Sequence, residues 1–95
     1  MKLRVALAQV NPTVGDLVGN SALIKDGVAA AAAQGAQIAI FPEMVLTGYP
    51  VEDLALRPSF QQASRAALAQ LATEIDPGIV AIVGYLDQVV TTDGA

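Results

Sequence analysis

The chain has 95 residues, a formal net charge of −4 and no cysteine. This length allows one domain with a single hydrophobic core, and the high apolar content with few charged residues is typical of a globular protein and excludes a disordered one. The negative charge argues against a nucleic-acid or anionic-membrane partner, because both bind basic surfaces. No segment approaches the roughly 20 apolar residues of a membrane span. We therefore expect a cytoplasmic protein, and the absence of cysteine fits a reducing compartment.

The hydrophobic pattern of the first half predicts two strands joined by a helix. Residues 3–10 and 37–41 are short runs that are apolar on both faces, a pattern typical of parallel strands in a sheet covered on both sides. Between them, apolar side chains at three- and four-residue spacing predict a helix that starts after a cap at Asn20 or Ser21 and ends at a left-handed Gly35. A strand, helix and strand of this length predict a right-handed βαβ unit.

The second half predicts a short helix, a longer helix and a third strand. Pro50 followed by Glu52 and Asp53 favours the start of a short helix, with both acids at its N-terminus. A capping box of Ser59 and Gln62 predicts the start of the longer helix, which ends at residues 76–78. Its predicted buried stripe consists of Phe60, Ala63, Ala67, Leu68, Leu71 and Ile75. Residues 79–86 form the most strand-like run, so the predicted order is β-α-β-(short α)-α-β.

The last residues predict that the sequence is part of a longer protein. Residues 89–92 have a strand pattern, and Asp93-Gly94 is a strong hairpin-turn signal. A strand that reaches a hairpin turn without a return strand indicates a domain that is incomplete at its C-terminal end. Three parallel strands and two helices also leave sheet edges and a sheet face uncovered.

Glu43 is the candidate functional residue that the strand pattern singles out. Pro42 cannot donate a hydrogen bond to a sheet, so the strand of residues 37–41 stops there. Ligands of open α/β sheets bind at the carboxyl ends of the strands, which is where Glu43 lies. The strand pattern alone gives more weight to the alternative, a solvated glutamate on a loop, because glutamate is rarely buried unless it is paired.

The residues around Glu43 resemble a known catalytic motif. The segment Phe41-Pro42-Glu43-Met44, followed by Leu46-Thr47-Gly48-Tyr49-Pro50, resembles the first catalytic motif of the nitrilase-like carbon-nitrogen hydrolases. Residues 52–60 and 3–16 are similar, more narrowly, to the glutaminase domain of glutamine-dependent NAD synthetases. The resemblance covers essentially the whole chain but only the first part of such an enzyme. It implies an α/β fold, the N-terminal βαβαβ part of a four-layer αββα sandwich.

The resemblance also implies a Glu-Lys-Cys triad in which Glu43 is the general base for hydrolysis of the glutamine side-chain amide. Such chemistry needs a carboxylate within hydrogen-bond reach of a thiol, and we expect partial burial to hold Glu43 in place. The chain has no cysteine, and Lys2 and Lys25 do not match the family's lysine motif. We expect the matching Lys and Cys beyond residue 95, so this chain alone is expected to be inactive. Tyr49 is expected to line the glutamine pocket or the ammonia exit; the alternative is a tyrosine that packs its own loop.

The partners implied by the resemblance are glutamine as substrate, the rest of a parent chain that includes a synthetase domain, and further copies in a homo-oligomer. The glutaminase reaction is expected to need no cofactor and no metal, whereas ATP and Mg belong to the synthetase domain. Two alternatives stay open. One is a stand-alone amidase, carbamoylase or nitrilase; the other is a non-enzymatic α/β binding module in which Glu43 is structural. No GxGxxG motif or P-loop follows the first strand, so a nucleotide site within this segment is not supported.

Overall fold

The structure, a computed structural model, describes residues 2–87, and its elements follow the predicted order. They are β1 (Val5–Leu7), α1 (Leu17–Ala33), β2 (Ile38–Ile40), a short 3₁₀ helix (Glu52–Leu56), α2 (Pro58–Glu74) and β3 (Val80–Ile82). The predicted α/β class is therefore confirmed. The strand predicted at residues 89–92 and the turn at Asp93-Gly94 lie outside the described residues. Between residues 2 and 87, no helix is long and apolar enough to cross a membrane.

The three strands form a parallel sheet with β2 in the centre. Ala6, Ala39 and Ala81 lie side by side across it, and Ala39 is fully buried in the core. Both crossovers step in the same direction along the sheet, so their right-handedness places α1 and α2 on the same face. The two helices pack against each other there. The core consequently lies between this pair of helices and the alanine-lined face of the sheet.

The opposite face of the sheet is uncovered in the part of the chain that the structure describes. Leu7 is 72% exposed and Val80 60% exposed, and Val5 and Ile82 are exposed beside them. Residues 2–87 do not themselves provide the cover that the strand pattern predicts for this second face, because both of their helices lie on the other face. The predicted uncovered face is confirmed. Full burial of a side chain of this type stabilises a fold by about 1.5–3 kcal/mol, so the uncovered face represents a substantial unrealised contribution.

The start of α1 differs from the prediction, whereas its end agrees. The cap is Asp16, whose Oδ1 accepts a hydrogen bond of 2.9 Å from the Gly19 amide, and not Asn20 or Ser21. The helix begins earlier because Asp16 already provides a carboxylate acceptor for the free amides of the first turn. At the other end Gly35 has a φ of +79°, the left-handed conformation that was predicted.

The start and the buried stripe of α2 also require correction. Pro58 occupies the first helical turn, and the cap residue Arg57 makes no side-chain cap hydrogen bond. The predicted capping box of Ser59 and Gln62 is wrong because Pro58, with its helix-compatible φ, starts the helix two residues earlier, so that Arg57 and not Ser59 is the cap residue. Ala63 is exposed and the neighbouring Ser64 is buried in its place. Burial of Ser64 is tolerated because its Oγ accepts a hydrogen bond of 3.2 Å from the Leu86 amide.

The segment before α2 is helical as predicted. It is a 3₁₀ helix that carries Glu52 and Asp53 in its first turn. The two acids therefore lie at the N-terminal end, where negative charge interacts favourably with free backbone amides.

Candidate active site

Glu43 lies at the carboxyl end of the central strand. After β2 ends, the Phe41 amide still donates a hydrogen bond of 3.0 Å to the Ile82 carbonyl of β3. Pro42 then has no amide to donate, and residues 43–47 form a turn. The predicted position of Glu43 at a strand end is confirmed. Because β2 is central, the segments that follow β1 and β3 flank this turn on either side.

The Glu43 turn, residues 42–48, has a specific and partly strained backbone. The Val45 amide donates to the Pro42 carbonyl at 3.2 Å, and the Gly48 amide donates to the Met44 carbonyl at 2.8 Å. Met44 has a φ of +57°, in the left-handed region. For a residue with a side chain this conformation costs on the order of 1–3 kcal/mol and persists only where the surroundings impose it. The surroundings of the Glu43 turn therefore determine where Glu43 lies.

The segment after β1 supports one side of the Glu43 turn. The Gly15 amide donates a hydrogen bond of 2.8 Å to the Thr47 carbonyl. Gly48 has a φ of +80°, and a Cβ at this position would lie 2.6 Å from the Cα of Val14. Both the backbone conformation and the close approach require glycine at position 48.

The segment after β3 supports the other side. The Leu46 amide donates to the Gly84 carbonyl at 3.3 Å. A Cβ on Gly84 would lie only 2.5 Å from the backbone nitrogen of Met44. Gly84 therefore allows the segment after β3 to pack directly against the backbone of Glu43 and Met44. An isolated glycine within a strand-like run is a recognised signal of such close approach, although the sequence analysis did not assign it this role.

Asn20, predicted only as a helix cap, is a further residue that supports the Glu43 turn. It lies in the first part of α1 and is 1% exposed. Its side chain accepts a hydrogen bond from the Thr13 amide and donates to the carbonyls of Thr13 and Leu46, at 2.8, 2.8 and 2.9 Å. The available signal was its spacing, because Asn20 precedes the buried Ile24 and Val28 at four-residue intervals on the same helix face.

The Glu43 side chain is exposed, which corrects the expectation of partial burial. It lines an open depression of ≈ 380 Å³ together with Pro42 and Tyr49. Within residues 2–87 the backbone of the Glu43 turn is hydrogen-bonded to α1 and to the segments that follow β1 and β3. The Glu43 carboxylate itself is exposed to solvent. This arrangement can present a carboxylate to a group delivered by another segment.

Tyr49 and Glu43 are brought together by the structure, because both line the same depression. Tyr49 is 73% exposed, so it does not pack its own loop extensively. Its role toward a substrate stays a prediction. Lys25 lies elsewhere, in an ion pair with Glu74 at 3.6 Å between α1 and α2. Residues 2–87 contain no group of three or more His, Cys, Asp or Glu side chains that could hold a metal ion.

Comparison with known proteins identifies the family. The sequence profile of the carbon-nitrogen hydrolases matches residues 4–94. The chain belongs to the carbon-nitrogen hydrolase family. The resemblance of the chain to these hydrolases is therefore confirmed, whereas the role of Glu43 stays a prediction.

Within this family the chain is similar to glutamine-dependent NAD(+) synthetases. It is 40% identical over 87 residues to the enzyme of Thermotoga maritima, which covers 90% of this chain and 15% of that protein. It is 44% identical over 84 residues to the enzyme of Xanthomonas campestris, with 87% and 15% covered. This carbon-nitrogen hydrolase segment thus spans about 15% of the length of the curated relatives that it matches.

Solved structures of the family share the fold. The glutamine-dependent NAD+ synthetase of Acinetobacter baumannii in complex with ADP has a TM-score of 0.85 and 38% identity, covering 97% of this chain and 17% of that one. An amidase from Nesterenkonia sp. has a TM-score of 0.62 and 32% identity, covering 74% and 27%. The fold is therefore common to synthetases and amidases of this family.

Proposed function

We propose that this chain is the N-terminal portion of the glutamine-hydrolysing domain of a longer, glutamine-dependent NAD synthetase. The observation that carries the proposal is the place of Glu43, accessible and at the carboxyl end of the central strand, inside the motif that resembles the family's catalytic motif. Support comes from 40–44% identity to synthetases. The similarity to the A. baumannii enzyme, which extends over 97% of this chain, supports it further.

In the proposed reaction Glu43 acts as the general base and then as the general acid. It takes the proton of a cysteine thiol, whose sulfur attacks the side-chain amide carbon of glutamine. A lysine stabilises the oxyanion, and Glu43 returns the proton to the departing ammonia. Glu43 then takes a proton from water, whose oxygen attacks the thioester carbon; the carbon-sulfur bond breaks, glutamate is released, and Glu43 returns the proton to the cysteine sulfur. The cysteine and lysine are proposed to belong to the part of the protein outside these 95 residues.

Tyr49 is proposed to line the glutamine pocket or the path by which ammonia leaves. Its position in the same depression as Glu43 supports this proposal. The ammonia would be used by a synthetase domain that needs ATP and Mg. We assign both to the part of the protein outside this chain, and no step at Glu43 involves them. We further infer a cytoplasmic homo-oligomer, on the basis of the resemblance alone.

The test uses the full-length protein with the substitution Glu43→Gln. Glutamine-driven NAD synthesis should fall by roughly 10²- to 10⁴-fold, the usual contribution of a general acid or base. Synthesis from added ammonium should persist, because it bypasses glutamine hydrolysis. Glu52→Gln is the matched control, since it removes another exposed carboxylate from the same connection and should leave both activities unchanged. If both activities of Glu43→Gln fall together, or neither falls, the assignment of Glu43 is wrong.

A stand-alone amidase is the second candidate, and the likeness to the Nesterenkonia amidase favours it. The same assay separates the two functions. An amidase would release ammonia from an amide substrate in a manner that depends on Glu43, but it would form no NAD from added ammonium. The synthetase is preferred because its relatives match more of this chain at higher identity.

A further inference from the structure

The side-chain amide of Asn20 makes three hydrogen bonds to other segments. Its nitrogen has two hydrogens, and both are donated, one to the Thr13 carbonyl and one to the Leu46 carbonyl. Its oxygen accepts from the Thr13 amide. Asn20 thus links α1 to the segment after β1 and to the Glu43 turn. No hydrophobic residue reproduces these bonds, and an aspartate lacks both donors.

Leu46 is the point at which this link reaches the Glu43 turn. Its side chain is fully buried, its carbonyl accepts from Asn20, and its amide donates to the Gly84 carbonyl. The backbone at Leu46 is therefore held from α1 on one side and from the β3 segment on the other. Leu46 follows Glu43 by three residues, and the strained Met44 lies between them. A shift of the Leu46 backbone is expected to let Met44 leave its left-handed conformation and so to move the Glu43 carboxylate.

We propose that Asn20 is a positioning residue for Glu43, acting through its hydrogen bond to the Leu46 carbonyl. This inference rests on the proposed function, in which Glu43 is the general base. Asn20 does not touch the reacting atoms in this scheme. It fixes the position and orientation of the Glu43 turn, while the exposed carboxylate remains accessible to a thiol.

The experiment compares Asn20→Asp and Asn20→Ser in the full-length protein with the control Ile24→Val. Ile24 is equally buried one turn further along α1 but makes no side-chain hydrogen bond, so its variant reports on lost packing alone. Both Asn20 variants should lower kcat for glutamine hydrolysis at least about tenfold with little change in KM, since a misplacement near 1 Å can reduce a rate about 100-fold. Ile24→Val should keep kcat within about twofold of the parent while lowering Tm.

A double variant separates positioning from general destabilisation. If Asn20 acts through Glu43, Asn20→Ser should change kcat less than about threefold in a Glu43→Asp background, where the carboxylate is already displaced. Ammonium-driven synthesis in the same samples verifies that the rest of the protein is folded. The positioning role would be overturned if Asn20→Ser lowered kcat by the same factor in the Glu43→Asp background as in the parent. It would also be overturned if an Asn20 variant kept kcat as well as Ile24→Val does at an equal loss of Tm. If Glu43→Gln itself keeps normal glutamine turnover, the proposed function fails first and this inference with it.

Discussion

Gly84→Ala tests whether the β3 segment sets the position of the Glu43 turn. The new Cβ would lie 2.5 Å from the Met44 nitrogen, whereas ordinary contact begins at 3.4 Å, so the two backbones must separate by about 0.9 Å. The obstructing atom belongs to the backbone and cannot rotate away. Overpacking of this kind typically costs about 1–3 kcal/mol. A displacement near 1 Å is also enough to reduce the rate of an oriented reaction roughly 100-fold.

The assay for Gly84→Ala measures kcat for glutamine-driven and ammonium-driven NAD synthesis in one preparation of the full-length protein. We expect a loss of roughly 100-fold in the first activity and none in the second. The control is Gly78→Ala, at the opposite end of β3, where the added Cβ meets only the carboxylate end of Asp76 at 3.1 Å. Parental kcat in Gly84→Ala would refute the idea that close packing against β3 places Glu43.

Two further predictions concern stability and ionisation. Asp16→Ala removes the cap of α1 and should lower the free energy of unfolding by about 1 kcal/mol in urea titrations; an unchanged midpoint would mean that the bond from the Gly19 amide contributes nothing. The pKa of Tyr85 is raised, first by the hydrogen bond that its hydroxyl donates to Asp87, because ionisation removes the proton that forms this bond. Asp87→Asn should therefore lower the pKa of Tyr85, measured from tyrosinate absorbance by difference against Tyr85→Phe, and a pKa that rises or stays constant would contradict this cause.

The order of elements was predictable because it depends on local patterns. Short apolar runs, three- and four-residue spacing and a left-handed glycine each report on a few adjacent residues. Two errors are local, since Asp16 and Pro58 start their helices earlier than predicted, whereas another arose where a distant partner decides the outcome. Ser64 is buried in place of Ala63, and its hydroxyl is satisfied by the amide of Leu86, a residue in the segment that follows β3. No local pattern in α2 contains that information.

The candidate site was predictable only in part. The strand end and Pro42 place Glu43 at the carboxyl edge of the sheet, and the motif resemblance indicates its chemistry. The support of the Glu43 turn by Asn20 and Gly84 was not predicted, since it depends on contacts between three separate segments. The sequence context of Asn20 predicts a cap of α1, and the folded chain shows that Asp16 has that role.

Residues 2–87 leave one face of the sheet uncovered. Both crossovers step in one direction along the sheet and α1 packs against α2, so the helical cover described here lies on one side. The other side presents exposed apolar side chains such as Leu7 and Ile82, and a parallel sheet is normally covered on both faces. The proposed function needs a cysteine, which these 95 residues lack, and a lysine that we propose to lie outside them. A covering layer that buries the apolar face would approach the same edge of the sheet as Glu43. We therefore expect the element that carries the cysteine to pack on this sheet, so that completion of the core and assembly of the catalytic triad occur together.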